Sequence, residues 1–340
     1  MKAIGLIRYL PIENPESLVD VEVSKPIPTG HDILVSIKAI SINPVDVKVR
    51  APKDTVEKTP RILGWDASGI VEAIGDEVTL FKVGDEVYYA GDITRSGAYA
   101  EYQLVDERIV GCKPTSLSFA QAAALPLTTI TAYEALFERL HIARDDSDNS
   151  NSRKTLLIIG GAGGVGSIGI QLAKTANLKV IATASRPETI AWVKDLGADH
   201  VINHHKTLRQ QIDSIGLDFV DYIAIFNDTD GHWNTATDLV CPQGSIVSIV
   251  ENNKPLNQET MKTKSATFAW EFMFTRSMFQ TPDLIEQHKL LKWVAHEIDA
   301  GRIRTTLNKV FTPINAVNIR KAHTLIETGQ AKGKVVLEKW

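Results

Sequence analysis

Cysteine is nearly absent: the 340-residue chain carries only Cys112 and Cys241, far apart in sequence. That scarcity excludes a disulfide framework or a cysteine-rich metal lobe. An excess of one charge is missing as well. Lys+Arg number 37 against Asp+Glu 41, a formal charge of -4, and no Lys/Arg-rich run stands ready for a polyanion. Nucleic acid is therefore not an expected partner. No apolar run approaches the roughly 18 residues of a membrane helix. Pro11 and Glu13 interrupt the start before a secretion-signal core forms. Repeats and low-complexity stretches are lacking too. The expectation is a cytoplasmic protein with no membrane role, long enough for about two domains, whose 44% hydrophobic content can build sizeable cores.

What is present changes its period along the chain. Residues 1–110 read mostly as strands, with DILVSIKAISI (32–42), SGIVEAIG, GDEVYYAG and GAYAEYQLVD bounded by Gly or Asp turns. That pattern suits a barrel-like β domain. QAAALPLTTITAYEALFERL is helix-prone around Pro126, and RDDSDNSNSRK (144–154), polar throughout with no core-forming residue, predicts an exposed loop. Beyond it, strands and helices alternate: TLLIIG, a helix, KVIATA, a helix from Pro187 to Gly197, HVIN, LRQQIDSIG, FVDYIAIF and SIVSIV. Such alternation predicts a parallel, doubly wound α/β sheet. The tail, with strands LNKVFTP and GKVVLEK around a helix, is expected to return to the first domain. The division anticipated is 1–125 completed by 285–340, with 126–284 between them.

Gly161, Gly163 and Gly166 form G-x-G-x-x-G between a buried strand and an apolar-faced helix. One glycine allows a tight turn, one lets backbone approach a pyrophosphate, and one packs helix against strand. Gly164 and Val165 open the helix, whose free N–H groups and dipole favour phosphate. About twenty residues on, an NAD site places an acid, whereas NADP needs donors and a cation. Here ATASRPE offers Ser185 and Arg186, which predicts NADP(H); the other reading is Ser185 as a helix cap with Arg186 solvated.

The order NPVD (43–46), GWDASGIVEAIG, KVGDEV (82–87), TAYEAL, IIGGAGGVGSIGIQLAK, LGADHVIN and GKVVLE resembles the medium-chain dehydrogenase/reductase superfamily over nearly the whole chain. The resemblance is to its quinone-oxidoreductase-like branch, whose bacterial members are often labelled zinc-type alcohol dehydrogenase-like. It implies a GroES-like β-barrel catalytic domain around a Rossmann domain, a homodimer, and hydride transfer to a small-molecule substrate.

Zinc-dependent relatives place Cys, His and a later Cys where this chain has Asn43, Trp65 and a site near Thr128; ILGWDASG puts Asp66 beside Trp65 as a lone carboxylate. A catalytic zinc takes about three protein ligands, and the four-cysteine lobe of such relatives is missing from AGDITRSGAYAEY. No metal is expected. Without a Lewis acid, acceptors that spread the developing charge over a conjugated system, quinones or enones, are favoured. Zinc-dependent alcohol oxidation and a non-catalytic NADPH-binding redox sensor remain the rivals.

By resemblance, Asn43 reaches toward nicotinamide ribose and substrate, Thr128 faces the nicotinamide, and Asn227, Val250 and Lys334 contact the cofactor. Asp46 bonds ribose or caps a short helix. Lys48, where many relatives have Tyr, stabilises an enolate or is solvated. His204, beside His205, is read as an imidazole at the cofactor edge. In FAWEFMFTRSMF (268–279), Trp270 and Phe274 roof an apolar pocket or belong to core or dimer interface, and Trp65 narrows the pocket.

Overall fold

The computed structural model describes every residue except Asp146 and Asp148. The chain divides into two units, Met1–Leu127 with Phe274–Trp340, and Thr128–Met273. The second boundary lies at 273/274 rather than 284/285. Residues beyond it pack in the first unit, where Phe274 meets Trp65 edge to face at 5.9 Å.

The first unit is the GroES-like β domain. Its seven-stranded sheet runs Leu307–Phe311, Lys334–Glu338, Asp32–Ile42, Asp66–Ile74, Glu86–Tyr89, Val110–Cys112, with Tyr102–Asp106 also pairing Asp32–Ile42. The C-terminal strand enters antiparallel to Asp32–Ile42, Val336 opposite Ser41. This is the return of the tail that the sequence pattern implied. A smaller sheet joins Val19–Glu22, Lys2–Tyr9 and Lys53–Ile62.

The second unit is a Rossmann fold. Its elements are β1 (Thr155–Ile159), α1 (Gly164–Thr175), β2 (Lys179–Thr183), α2 (Pro187–Asp195), β3 (His200–Ile202), α3 (Leu208–Ser214), β4 (Val220–Ile225), α4 (Thr229–Leu239), β5 (Val240–Ser248), α5 (Glu259–Lys264) and β6 (Thr267–Trp270). The strands are parallel in the order β3-β2-β1-β4-β5-β6. Every residue of β1 is buried, as covering a parallel strand on both faces demands. Helix α1 is buried on more than one face: Gly166–Ala173 are all buried, so the apolar stripe read from sequence understates its enclosure. Leu157, Ile181, Ile223 and Ile246 carry the core between sheet and helices.

The 144–154 segment departs from its expected character at Asn151, which is buried. Its amide donates to the carbonyls of Ala143 (2.7 Å) and Ala176 (2.9 Å), tying the loop to the end of α1. A polar side chain is admitted to the interior because two acceptors satisfy it; the part of that expectation on Asp146 and Asp148 lies outside the described residues. Among the described residues no helix is long and apolar enough to cross a membrane.

Candidate active site

In the Rossmann unit the parallel sheet points its carboxyl ends to one edge, and the strand order reverses between β1 and β4. Ligands bind open α/β sheets at such a switch point. Gly160 to Gly166 follow β1, Ser185 and Arg186 follow β2, His204 follows β3, Asn227 follows β4 and Val250 follows β5. The topology therefore gathers the predicted cofactor residues of this unit on one edge.

The glycine loop divides its tasks differently from the sequence reading. Gly160, outside the predicted motif, takes the left-handed turn at φ +92°, and its N–H is held by Thr183 Oγ1 at 2.9 Å. The Gly-Gly doublet after TLLII was the available signal for it. A Cβ on Gly166 would lie 2.3 Å from the Gly160 carbonyl oxygen, so this glycine is required by helix–turn packing. Gly163 differs: a Cβ there would meet nothing closer than that oxygen at 3.5 Å, and its backbone (φ -71°, ψ 177°) suits any residue. The chain itself gives no reason for glycine at 163. A group approaching the N-terminus of α1 from outside does, and the twelve-residue helix presents its first free N–H groups there.

Arg186, not Ser185, caps α2: its N–H donates to Thr189 Oγ1 at 3.1 Å, which corrects the alternative reading. The Arg186 guanidinium meets Glu188 at 3.0 Å and is partly exposed. His204 meets His205 with ring centroids 4.3 Å apart and the rings tilted by 54°, and burial, then the neighbouring imidazoles, lowers its pKa. The Val250 carbonyl accepts from Thr229 Oγ1, and Asn227 lies against Gly160. Thr128 is buried.

In the GroES-like unit a buried polar cluster stands where the strand Asp32–Ile42 ends and the strands Asp66–Ile74 and Lys334–Glu338 begin. Asp66 Oδ2 accepts from the Asn43 amide at 2.8 Å and the Lys334 ammonium at 3.0 Å; its Oδ1 accepts from the Leu127 N–H at 2.7 Å. That last donor lies in the first turn of the helix Pro126–Tyr133, where backbone N–H groups have no partner within the helix. Lys334 also donates to Asn43 Oδ1 and, at 3.2 Å, to the Ile42 carbonyl. Asp46, third residue of the helix Pro44–Arg50, turns back to accept from the Asn43 N–H at 2.7 Å. Burial pushes its carboxyl up to about 7, against the lowering by that N–H and by Lys334.

This geometry corrects several expectations. Asn43 and Asp46 have no exposed surface, and Asn43 spends both ends of its amide inside the chain. In this arrangement Asn43 is engaged by Asp66 and Lys334, and Asp46 by the Asn43 N–H. Lys334 likewise serves Asp66 and Asn43. Trp65 and Phe274 are buried in the core of the first unit, Trp65 donating to the Asp92 carbonyl at 3.1 Å; for Phe274 this is the core alternative of the sequence reading, for Trp65 a core role in place of a pocket wall. Lys48 is exposed on its helix, and Trp270, on β6, is 44% exposed. Asp66 was missed by the site prediction; an acid inside the apolar run ILGWDASGIV was the one clue.

A family model described as alcohol dehydrogenase GroES-like domain matches residues 29–115, and one described as zinc-binding dehydrogenase matches 196–337. A zinc-type alcohol dehydrogenase-like protein of Staphylococcus epidermidis is 42% identical over 99% of both chains. The 2-methylene-furan-3-one reductase of Solanum lycopersicum is 31% identical over 98% of this chain and 76% of its own. The crystal structure of a putative zinc-dependent alcohol dehydrogenase from Rhizobium etli matches with TM-score 0.94 and 49% identity, over 100% of this chain and 98% of that one. A quinone oxidoreductase from Coxiella burnetii matches with TM-score 0.77 and 26% identity, over 100% and 99%. The chain belongs to the medium-chain dehydrogenase/reductase superfamily, in its quinone-oxidoreductase-like branch.

Two groups that this superfamily implies can be tested against the residues. A pyridine dinucleotide fits, because Gly163 leaves the N-terminus of α1 open to a pyrophosphate and the other candidate residues of this unit follow the carboxyl ends of the same sheet. Zinc does not fit. Asp66 already takes three donors, one of them a cation; Asn43 is bound to that same cation; and an indole nitrogen is a donor only, so Trp65 cannot ligate. Among the described residues no three His, Cys, Asp or Glu side chains converge on one point.

Proposed function

We propose that this chain is an NADPH-dependent, metal-free reductase of quinones or α,β-unsaturated carbonyls. The observation that carries the reading is the Lys334–Asp66–Asn43 cluster, where a protein ammonium stands beside the one carboxylate that a metal would need. The absence of an acid after β2, with Ser185 and Arg186 in its place, supports the phosphorylated nucleotide over NAD. Arg186 would turn from Glu188 to the 2′-phosphate, an exchange of one charge-assisted pair for a stronger one. The names of the tomato and Coxiella relatives, an exocyclic-enone reductase and a quinone oxidoreductase, support the acceptor class.

When bound, the dihydronicotinamide supplies a hydride, and the protein supplies orientation and electrostatics. The glycine turn and the α1 N-terminus would hold the pyrophosphate, and Asn227 and Val250, at the carboxyl ends of β4 and β5, would contact the rest of the dinucleotide. A conjugated acceptor delocalises the charge that hydride addition creates, so hydrogen-bond donors suffice where a plain ketone would need a Lewis acid. The same reading takes a second copy of the chain as partner, with β6 as the outer strand of the sheet.

The test is NADPH oxidation against a panel of quinones, enones, aldehydes and alcohols, with and without chelator, alongside metal analysis. Turnover of conjugated acceptors unaffected by chelator supports the reading. Stoichiometric zinc with alcohol oxidation sinks it.

A further inference from the structure

Helices α1 and α2 each carry one of two contacts in the proposed nucleotide site: the pyrophosphate at the N-terminus of α1, and the 2′-phosphate at Arg186, the N-cap of α2. A side-chain hydrogen bond joins the two helices. The Trp192 indole N–H, on the second turn of α2, donates to Ser167 Oγ, the fourth residue of α1, at 2.8 Å. An indole nitrogen only donates, whereas a hydroxyl both accepts and donates, so the direction of this bond is fixed. The Ser167 proton is then directed at the Ala162 carbonyl, 3.4 Å away inside the glycine turn.

Each end of this bond is tied to one phosphate contact. Ser167 has no exposed surface, and its N–H donates to the Gly163 carbonyl at 2.9 Å. The Gly163 N–H in turn donates to the Gly160 carbonyl at 3.2 Å. The peptide linking Ala162 to Gly163 is therefore engaged on both sides, by the Ser167 hydroxyl and by Gly160. On the other helix, the Arg186 carbonyl accepts from the N–H groups of Thr189 (3.0 Å) and Ile190 (2.9 Å), and its N–H donates to Thr189 Oγ1 at 3.1 Å. Arg186 and Trp192 thus belong to one continuous hydrogen-bonded segment, in which a movement of the indole is a movement of the cap. Apolar side chains at 167 and 192 would also pack two helices together. The hydroxyl–indole pair adds a directional restraint against sliding.

We propose that Trp192, acting through Ser167, is a positioning residue that fixes the separation of Arg186 from the N-terminus of α1 and so sets the preference for the 2′-phosphorylated nucleotide. This rests on the NADPH reading given above and deepens it. A ligand held at two points gains from the second only as far as the spacing of the two contacts matches its own length. NADPH has both groups and is sensitive to that spacing. NADH lacks the 2′-phosphate and is not. The polar atom of Trp192 is spent on Ser167, so its effect on the nucleotide travels through that bond.

Calorimetric titration of NADPH and NADH tests the proposal in the parent chain and in Trp192→Phe, Ser167→Ala, the double variant, and each single variant combined with Arg186→Ala. Each single variant is expected to weaken NADPH binding about 5-fold, within the range of such indirect couplings, and to leave NADH within about 2-fold. The double variant should lose no more than either single one, and neither substitution should weaken NADPH further once Arg186 is Ala. Equal losses for both nucleotides, or losses that add to that of Arg186→Ala, mark a purely structural role and overturn the proposal. A second readout needs no substitution. By linkage, NADPH must tighten a bond that favours its own binding, so the Trp192 indole N–H, assigned by triple-resonance NMR, is expected to exchange with solvent more slowly under saturating NADPH than under saturating NADH. Equal exchange overturns the proposal. A parent chain that binds NADH as tightly as NADPH overturns the cofactor reading and takes the coupling with it; a parent preference that survives both substitutions overturns the coupling alone.

Discussion

Replacing Lys334 with Met isolates the electrostatics of the cluster. Lys334 is buried and donates to Asp66 Oδ2 (3.0 Å), the Ile42 carbonyl (3.2 Å) and Asn43 Oδ1. Met keeps the stem's volume and removes the ammonium. Asp66 then stays buried with two neutral donors, the Leu127 N–H and the Asn43 amide. Removing one partner of a buried ion pair costs about 3–5 kcal/mol, because the survivor's desolvation is uncompensated. In Lys334→Met/Asp66→Asn no charge is stranded, so the double variant is expected to recover about 1–3 kcal/mol of that loss. Since the two units need not unfold together, global melting is a poor probe. Native-state hydrogen exchange of the Asp32–Ile42 amides, in the strand beside the cluster, reports the first unit directly. Protection unchanged in the single variant at pH 8, or lower still in the double, would refute the assignment of Lys334 as Asp66's counter-ion.

Gly163→Ala should leave stability unchanged while weakening NADPH binding about 10-fold or more, roughly 1.4 kcal/mol, by calorimetry; Gly166→Ala should instead cost about 1–3 kcal/mol of stability through its clash with the Gly160 carbonyl. Arg186→Ala should reduce NADPH affinity about 10- to 100-fold with little change for NADH, the loss of one charge-assisted contact. Asp46 keeps its proton in the folded chain up to about 7, against an ordinary value of 3.8, so its contribution to stability falls as pH rises from about 4 to 7. That gap of about 3 pH units corresponds to about 4 kcal/mol. Asp46→Asn should therefore gain stability relative to the parent across this window. His323, held down at about 3, carries the opposite slope below about 6.5, and chemical denaturation of the variant should expose it.

The Rossmann half was legible because its signals are local: a buried apolar strand, a glycine turn and repeated alternation each occupy a few consecutive residues. The polar cluster was not. Asn43, Asp66 and Lys334 come together only when the strand Lys334–Glu338 pairs with Asp32–Ile42, nearly three hundred positions apart. Sequence spacing carries no record of that register. Trp65 misled for a related reason. Its position matches a ligand site of zinc-dependent relatives, but whether a large indole fills a cleft or the core depends on Phe274 and Asp92, both remote in the chain. Asn151 shows the same limit on a smaller scale, since its burial depends on acceptors on either side of it.

The central claim is hydride delivery from NADPH to conjugated acceptors without a metal ion. It is tested most directly by stripping the purified chain with chelator, confirming by elemental analysis that no metal remains, and following nicotinamide absorbance with an enone. The account predicts undiminished NADPH oxidation and no gain when zinc is restored. Activity lost on stripping and regained with zinc would contradict it.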